Sequence, residues 1–268
     1  EIIRDAARFF EEGEKMQLSY AVENTHRTVG TRASSHIVKR FGMRNSLQPD
    51  HLTVKLTGSA GQSLGAFAAP GLKIEVFGDA NDYVGKGLSG GMIVVRPRMS
   101  SPLVTQDNTI IGNTVLYGAT EGYLLAAGRA GERFAVRNSG AKVVIEGCGS
   151  NGCEYMTGGV AVILGSIGAN FGAGMTGGMA YLYDPAGAVA DLINMESLVT
   201  CPVTVAHWEA ELKDLIARHA AETGSSRSDD ILRNWDREKA NFVQVCPKEM
   251  LAHLPHPISH DDAAIPAE

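Results

Sequence analysis

Two glycine clusters have the spacing that is found in dinucleotide-binding loops. GKGLSG begins at Gly85 and GAGMTG begins at Gly172, and both match the pattern GxGxxG. A dinucleotide site needs these glycines between a strand and a helix, because the helix N-terminus binds the pyrophosphate. Here each cluster is followed by strand-forming residues, MIVVR and MAYLY. We therefore interpret the glycines as turn residues and predict no nucleotide site.

The acidic residues of the same region are the next candidates, since glycoside hydrolysis needs two carboxylates that face one groove. Asp and Asn in a segment such as GDANDYVGKG ordinarily bond the turn backbone. No acidic cluster recurs from one repeat to the next, which favours structural roles. The acids considered are Asp79, Asp82, Glu121, Glu132, Glu146 and Glu154.

Basic residues suggest one further candidate. His26 and Arg27, in NTHRTVGTR, have the chemistry of an anion or partner site. A single His–Arg pair ahead of a helix is more often a cap or an internal ion pair, and we favour that interpretation. The arginines at 129, 133 and 137 are expected to pair with Glu121, Glu132 or Glu146. No GxSxG sequence marks a nucleophilic serine.

The four cysteines are Cys148, Cys153, Cys201 and Cys246. They contain no CxxC pair and no compact Cys/His set, so neither zinc nor an iron–sulfur cluster is indicated. We expect Cys148 and Cys153 to be reduced and buried. The sequence thus predicts no catalytic, cofactor-binding or metal-binding residue.

Charge and hydropathy limit the environment of the chain. A net charge of −6 and a pI near 5.8 argue against nucleic acid or an anionic membrane as a partner. No apolar run approaches the roughly 20 residues needed to span a bilayer. The N-terminus lacks the pattern of a signal peptide, so we expect a cytoplasmic protein. Because the sequence does not begin with Met, we expect a piece of a longer chain.

An internal repeat organises the elements that must position these residues. YMTGGVAVIL, from Tyr155, recurs as GMTGGMAYLY and, upstream, as GLSGGMIVVR. Strand-like segments begin at 52, 72, 92 and 114 (TVLYG), and again at 142, 160 and 179, with YLLAA at 123 and FAVRN at 134 between them. Such a repeat indicates one unit stacked on copies of itself. Because each unit offers short strands and glycine corners, we predict a mainly β fold, a parallel β-helix of about six or seven turns.

Asparagines at or near the corners are expected to adopt left-handed conformations and to bond one another along the stack. They are Asn81, Asn108, Asn113, Asn138, Asn151 and Asn170.

The chain divides into three parts of one structural domain. Residues 1–51 are predicted to form a cap made of a helix that ends at Gly13, the strand Met16 to Val22 and a second helix that ends at Gly42. Residues 52–187 form the predicted β-helix. Residues 188–268 are predicted to add two helices, a strand from Phe242 and a Pro-rich tail whose end we expect to be disordered.

Several long strings identify a family. They are HRTVGTRASS from His26, GSAGQSLGAF from Gly58, GDANDYVGKGLSGG from Gly78, GNTVLYGAT from Gly112, GRAGERFAVRNSGA from Gly128 and GCEYMTGG from Gly152. These strings closely resemble the C-terminal domain of the large (alpha) subunit of bacterial NADPH-dependent glutamate synthase. A more distant likeness is to a subunit of formylmethanofuran dehydrogenase.

This resemblance implies a right-handed parallel β-helix, flanked by helices, that carries no catalytic group. The parent enzyme converts glutamine, 2-oxoglutarate and NADPH into two glutamates. The resemblance places an amidotransferase domain and an FMN-binding synthase domain with an iron–sulfur cluster elsewhere in the same subunit. A small subunit with FAD and iron–sulfur supplies electrons. We expect a non-catalytic packing domain whose partners are those two domains, with the small subunit as a further candidate.

Two other functions stay open from the residues alone. One is a free-standing subunit of a split glutamate synthase or of a related β-helix oxidoreductase. The other is an independent β-helix enzyme or nucleotide binder, which a thermal-shift screen with nucleotides and sugars would reveal.

Overall fold

The structure, a computed structural model, describes residues 1–259. The N-terminal part contains α1 (Ile2–Asp5), α2 (Ala7–Glu12), β1 (Met16–Val22) and α3 (Thr31–Phe41). The glycine-rich part contains β2 (Leu52–Ala60), β3 (Leu72–Ala80), β4 (Ser89–Arg96), β5 (Thr109–Ile111), β6 (Glu121–Ala126), β7 (Arg129–Ala130), β8 (Ser139–Ile145), β9 (Thr157–Ile163) and β10 (Gly177–Tyr183). The C-terminal part contains β11 (Leu198–Pro202), α4 (Ala206–Thr223), α5 (Ser226–Arg233), α6 (Trp235–Glu238) and β12 (Phe242–Pro247).

The twelve strands found in residues 1–259 belong to one mixed sheet. Its order is β1-β2-β3-β4-β6-β8-β9-β10-β12-β11, and the short strands β5 and β7 pair beside this path. Neighbours from β1 to β10 are parallel, whereas β12 is antiparallel to both β10 and β11. Pairing of β2 with β3 runs in constant register from Leu52 opposite Leu72 to Ala60 opposite Ala80. The even spacing of the strand-like segments in the sequence therefore reflects the constant register in which the parallel strands pair.

The predicted mainly β fold, a right-handed parallel β-helix of six or seven turns, is wrong. The structure is a mixed sheet of 12 mostly parallel strands with helices, an α/β arrangement. Two segments predicted as strands, TVLYG and FAVRN, are turns, because Leu116 and Ala135 have φ angles of +59° and +56° and cannot be extended. Each repeat thus gives one principal strand to the sheet, and antiparallel strands complete it.

The connections between parallel strands repeat one turn conformation. In the first, alternate residues are left-handed: Ser63, Gly65 and Phe67 have φ angles of +62°, +63° and +58°. Successive connections are joined by backbone hydrogen bonds, such as that from the Gly85 amide to the Leu64 carbonyl oxygen at 2.9 Å. A non-glycine residue in this conformation costs about 1–2 kcal/mol, and the hydrogen bonds between connections offset that cost.

Apolar residues cover both faces of the central strands. One face packs against the connections, which contribute buried side chains such as Leu64 and Phe134. The other face packs against α4, whose Trp208, Leu212 and Ile216 are buried. Burial of each such side chain stabilises the fold by about 1.5–3 kcal/mol. Burial on both faces explains why the central strands read as continuous apolar runs.

The flanking elements agree largely with the prediction. Strand β1 has the predicted bounds, and Gly13 and Gly42 follow α2 and α3 as predicted. The second predicted C-terminal helix is divided into α5 and α6 at Asn234, whose φ and ψ are −111° and +26°. The predicted disorder of the tail concerns residues 260–268, which lie outside the described residues. Within residues 1–259, no helix has the length and apolar character needed to cross a membrane.

Candidate functional site

Both GxGxxG clusters lie in turns that precede strands, as predicted. Gly85 and Gly87 have φ angles of +67° and +62° and lead into β4. Gly172 and Gly174 have φ angles of +73° and +64° and lead into β10. A side chain at Gly85 would meet Leu116 of the next connection. The turns are filled by their neighbours, and no helix N-terminus follows them to bind a phosphate.

Asp79 and Asp82, in the segment GDANDYVGKG, accept hydrogen bonds from nearby polar groups. Oδ1 of Asp82 accepts a hydrogen bond from the Asn113 amide at 2.8 Å, which joins two successive connections. Asp79 accepts one from the Ser59 hydroxyl at 3.1 Å. Among residues 1–259, no group of three or more His, Cys, Asp or Glu side chains is placed to hold a metal ion.

The arginines at 129, 133 and 137 make other contacts than those predicted. Arg133 forms an ion pair with Glu154 at 3.1 Å. The guanidinium of Arg137 lies 5.9 Å from the ring centroid of Tyr155. Arg129 donates a hydrogen bond to the hydroxyl of Ser166. None of the three contacts involves the acids predicted for these arginines, which were Glu121, Glu132 and Glu146.

The cysteines do not fit an iron–sulfur cluster. Cys148 and Cys153 are free thiols buried in the core, as predicted. Burial raises the pKa of Cys148 to about 12 and that of Cys153 well above its usual value. Metal ligation requires a thiolate, which these surroundings disfavour. Cys201 and Cys246 lie apart from them, on β11 and β12.

A buried carboxyl group connects the sheet to the C-terminal helices. Oε1 of Glu146, directly after β8, accepts a hydrogen bond from the Ser225 hydroxyl at 2.5 Å. The Ser225 hydroxyl also accepts a hydrogen bond from the Ser228 amide at 3.1 Å and so caps α5. Burial raises the pKa of Glu146, although the hydroxyls of Ser225 and Thr105 and the charge of Arg227 oppose this. The arrangement anchors α5 rather than exposing an acid to a substrate.

His26 and Arg27 are exposed on the loop between β1 and α3. Nδ1 of His26 accepts a hydrogen bond from the Glu23 amide at 3.1 Å. The carbonyl oxygen of His26 accepts one from the Gly61 amide at 3.2 Å. His26 therefore closes the turn and fastens it to the first connection. No side chain caps α3, so the interpretation of this pair as a helix cap is wrong.

Two adjoining cavities lie beside this loop. The first, of about 600 Å³, has apolar walls that include Ile2 and Leu56, and it is also lined by Arg27 and Arg32. The second, of about 530 Å³, lies between α2 and α3 and is lined in part by Phe10 and Lys39. Both cavities are lined by Ile3, Arg4 and His36. We call the two cavities together the α3 groove.

The sequence contained a signal for this groove that the motif search did not use. Residues 24–45 include five Lys or Arg residues and no Asp or Glu, although the whole chain has a net charge of −6. The exposed residues of α3 recur at helical spacing, namely Arg32, His36, Lys39 and Arg40. A charge count along the chain, rather than a search for motifs, would have found them.

Comparison with known proteins decides the family. A family model described as GXGXG motif matches residues 1–248. The chain belongs to the GXGXG motif family.

Members of known function support the resemblance seen in the sequence. The chain is 63% identical over 267 residues to the glutamate synthase [NADPH] large chain of Azospirillum brasilense, covering 100% of this chain and 18% of that relative. It is 45% identical over 248 residues to the large chain of Bacillus subtilis, covering 91% of this chain and 16% of the relative. The predicted resemblance to the glutamate synthase large subunit is confirmed. The chain spans less than a fifth of the length of these relatives.

Similarity extends to a ferredoxin-dependent enzyme. The chain is 50% identical over 229 residues to ferredoxin-dependent glutamate synthase 2 of Synechocystis sp., covering 85% of this chain and 15% of the relative. In this chain Gly85 and Gly87, like Gly172 and Gly174, are alternating left-handed residues of a connection. Ser63 and Phe67 occupy the same conformation without being glycine, so the pattern marks a backbone geometry more than a residue type.

Proposed function

We propose that this chain is a structural packing domain of a glutamate synthase large chain. In this role it holds the amidotransferase domain and the FMN-binding synthase domain of the same chain in register. The parent enzyme then makes two glutamates from glutamine, 2-oxoglutarate and NADPH. One observation carries the proposal: the whole chain is 63% identical to a glutamate synthase large chain of which it forms only 18%.

The surroundings of the polar groups support a structural role. Glu146, His219 and Ser225 are buried. Their side chains form hydrogen bonds that join the sheet and the C-terminal helices, and they do not line a cavity. The glycine turns are occupied by neighbouring connections, and the buried thiols disfavour metal ligation. We therefore propose that FMN and an iron–sulfur cluster bind elsewhere in the parent chain, and FAD and further iron–sulfur clusters in a small subunit.

The isolated chain tests the non-catalytic part of the proposal. We expect the purified chain to lack visible flavin absorbance and to turn over neither glutamine nor 2-oxoglutarate, with the intact synthase as the positive control. Glutaminase turnover by the chain, or a flavin that copurifies with it, would contradict the proposal.

The intact synthase tests the packing role. Destabilising this region, for example by Leu212→Ala in α4, should lower the yield of glutamate per glutamine hydrolysed while both half-reactions remain measurable. Leu212 is fully buried, and such a truncation costs about 2–5 kcal/mol. An unchanged yield in a variant whose region is demonstrably unfolded would contradict the packing role.

A further inference from the structure

The exposed face of α3 concentrates positive charge on an otherwise acidic chain. The cationic residues Arg32, Lys39 and Arg40 are exposed, and their spacing puts them on one side of the helix. Neither Arg32 nor Lys39 makes an ion pair with a carboxylate among residues 1–259. Glu1 and Glu11 also line the α3 groove, but its Lys and Arg side chains outnumber these acids, so this face is suited to a ligand of negative charge.

The start of α3 adds a further preference for negative charge. Gly30 precedes the helix with a φ of +96°, and no side chain caps the helix. The first amides of a helix carry a partial positive charge. Arg27, from the loop before α3, lines the same cavity as Gly30 and Arg32.

Apolar walls alternate with these charges along the α3 groove. Ile2, Ile3 and Phe10 line it from the side of α1 and α2. Its two cavities measure about 600 and 530 Å³, and the groove extends along a helix of 11 residues. At a rise of 1.5 Å per residue, α3 is about 16 Å long. A small anion would use only a part of such a surface, whereas an extended or helical segment would use its length.

We propose that the α3 groove binds an acidic, amphipathic polypeptide segment from the remainder of the glutamate synthase large chain. Carboxylates of that segment pair with Arg32 and Lys39, and its apolar side chains cover Ile3 and Phe10. This docking rests on the proposed function, since the proposed partner is another part of the same polypeptide. Nucleic acid is disfavoured because the chain as a whole has a net charge of −6.

A zero-length carbodiimide crosslink in the full-length large chain tests the docking. The reagent joins an amine to a carboxylate in contact with it, and Lys39 supplies the single amine of α3. We expect Lys39 to join an Asp or Glu outside the 268 residues described by this sequence. Nζ of Lys15 lies 2.8 Å from Oδ2 of Asp50, so the crosslink between these two residues provides an internal positive control.

Two variants sharpen the result. Lys39→Arg keeps the charge but removes the amine, so it should abolish the crosslink. Arg32→Glu keeps the amine at Lys39 but reverses a neighbouring charge, and it should lower the yield of the crosslink on the order of tenfold. Thermal unfolding of both variants should match the wild type, since both residues are exposed.

Other outcomes overturn the docking. Crosslinks from Lys39 only to Glu11 or to other acids of residues 1–51, with the Lys15–Asp50 product present, mean that no acidic segment occupies the groove. A Lys39 crosslink between two isotopically distinct copies means that a second copy does. Either result leaves the packing role standing if Leu212→Ala still lowers the yield of glutamate per glutamine hydrolysed, so the two proposals fail separately.

Discussion

Nε2 of His219, on α4, lies 2.9 Å from the carbonyl oxygen of Ala126 at the end of β6. Because a carbonyl oxygen only accepts, Nε2 must carry the proton. Nδ1 is then the acceptor for the Ser228 hydroxyl at 2.7 Å, on α5. One neutral imidazole therefore joins the sheet to two helices.

Protonation of His219 should unfold the junction between the sheet and the helices. Burial lowers the pKa of His219 from 6.5 to about 4. Because the folded state holds the proton more weakly than the unfolded state, the stability present above pH 6.5 is lost as the pH falls towards 4. A difference of this size corresponds to about 3 kcal/mol. Urea unfolding at a series of pH values measures it.

Two histidine variants separate this effect from general acid denaturation. His219→Gln should be less stable than the wild type at neutral pH but should lose less stability between pH 6.5 and pH 4. His207→Gln, at an exposed position, should keep the slope of the wild type. If the free energy of unfolding falls equally with pH for His219→Gln and for the wild type, the assignment is contradicted.

Glu146→Gln should preserve or raise stability at neutral pH. Burial raises the pKa of Glu146, so the folded state binds the proton more tightly than the unfolded state. Its contribution is present below the usual pKa of 4.5 and is lost as the pH rises through the raised value. Glutamine keeps an oxygen for the Ser225 hydroxyl and carries no charge.

Thermal unfolding at pH 5 and at pH 8 checks the glutamate prediction. The midpoint of Glu146→Gln should exceed that of the wild type more at pH 8 than at pH 5. Glu132→Gln, at an exposed position, serves as the matched control and should show little change. A marked loss of stability in Glu146→Gln at pH 8 would mean that the folded state needs the charged carboxylate.

Repeats and glycines predicted the strands of the glycine-rich region but not how they assemble. The spacing of the segments at 52 and 72 reappears as the register of β2 and β3. The left-handed φ of Leu116 and Ala135 could not be read from VLYG and FAVR, because apolar residues strongly favour extended backbone. Only the stacking of neighbouring connections imposes these angles, and stacking is not a local property of sequence.

The polar contacts also divide into those that the sequence predicted and those that it did not. Bonding between corner asparagines was expected without naming the pairs, and Asn151 and Asn170, both left-handed, form such a pair. The other four expected residues are not left-handed, namely Asn81, Asn108, Asn113 and Asn138. Pairing with Asn194, outside the repeat, was not predicted. The α3 groove was missed because its residues come from α1, α2 and α3, whose packing no single segment encodes.

Replacing Asn170 should weaken the end of the stack. Its Nδ2 donates to Oδ1 of Asn151 at 2.9 Å, and its Oδ1 accepts from Nδ2 of Asn194 at 2.9 Å. Asn170→Ala loses both bonds and must keep a φ of +60°, at a total cost of about 2–3 kcal/mol. Asn170→Gly loses the bonds but tolerates the angle, so urea unfolding should find it about 1 kcal/mol more stable than Asn170→Ala. Equal stability of the two variants would contradict a strained position.

A pair of glycines separates steric packing from backbone strain. Gly87 and Gly118 have φ angles of +62° and +66° and lie in consecutive connections. A Cβ at Gly87 would lie 2.5 Å from the ring of Phe67, whereas a Cβ at Gly118 would meet nothing within 4 Å. Gly118→Ala should therefore cost only the left-handed penalty of about 1 kcal/mol.

Gly87→Ala should cost that penalty and, in addition, about 1 kcal/mol or more for displacing the Phe67 ring. Chemical unfolding of both alanine variants measures the difference between them. The double variant Phe67→Ala/Gly87→Ala should regain the additional loss relative to Phe67→Ala alone, because the ring that clashes is gone. If Gly87→Ala and Gly118→Ala are equally destabilised, the contact between Phe67 and Gly87 places no steric demand on the turn, and backbone conformation alone accounts for glycine there.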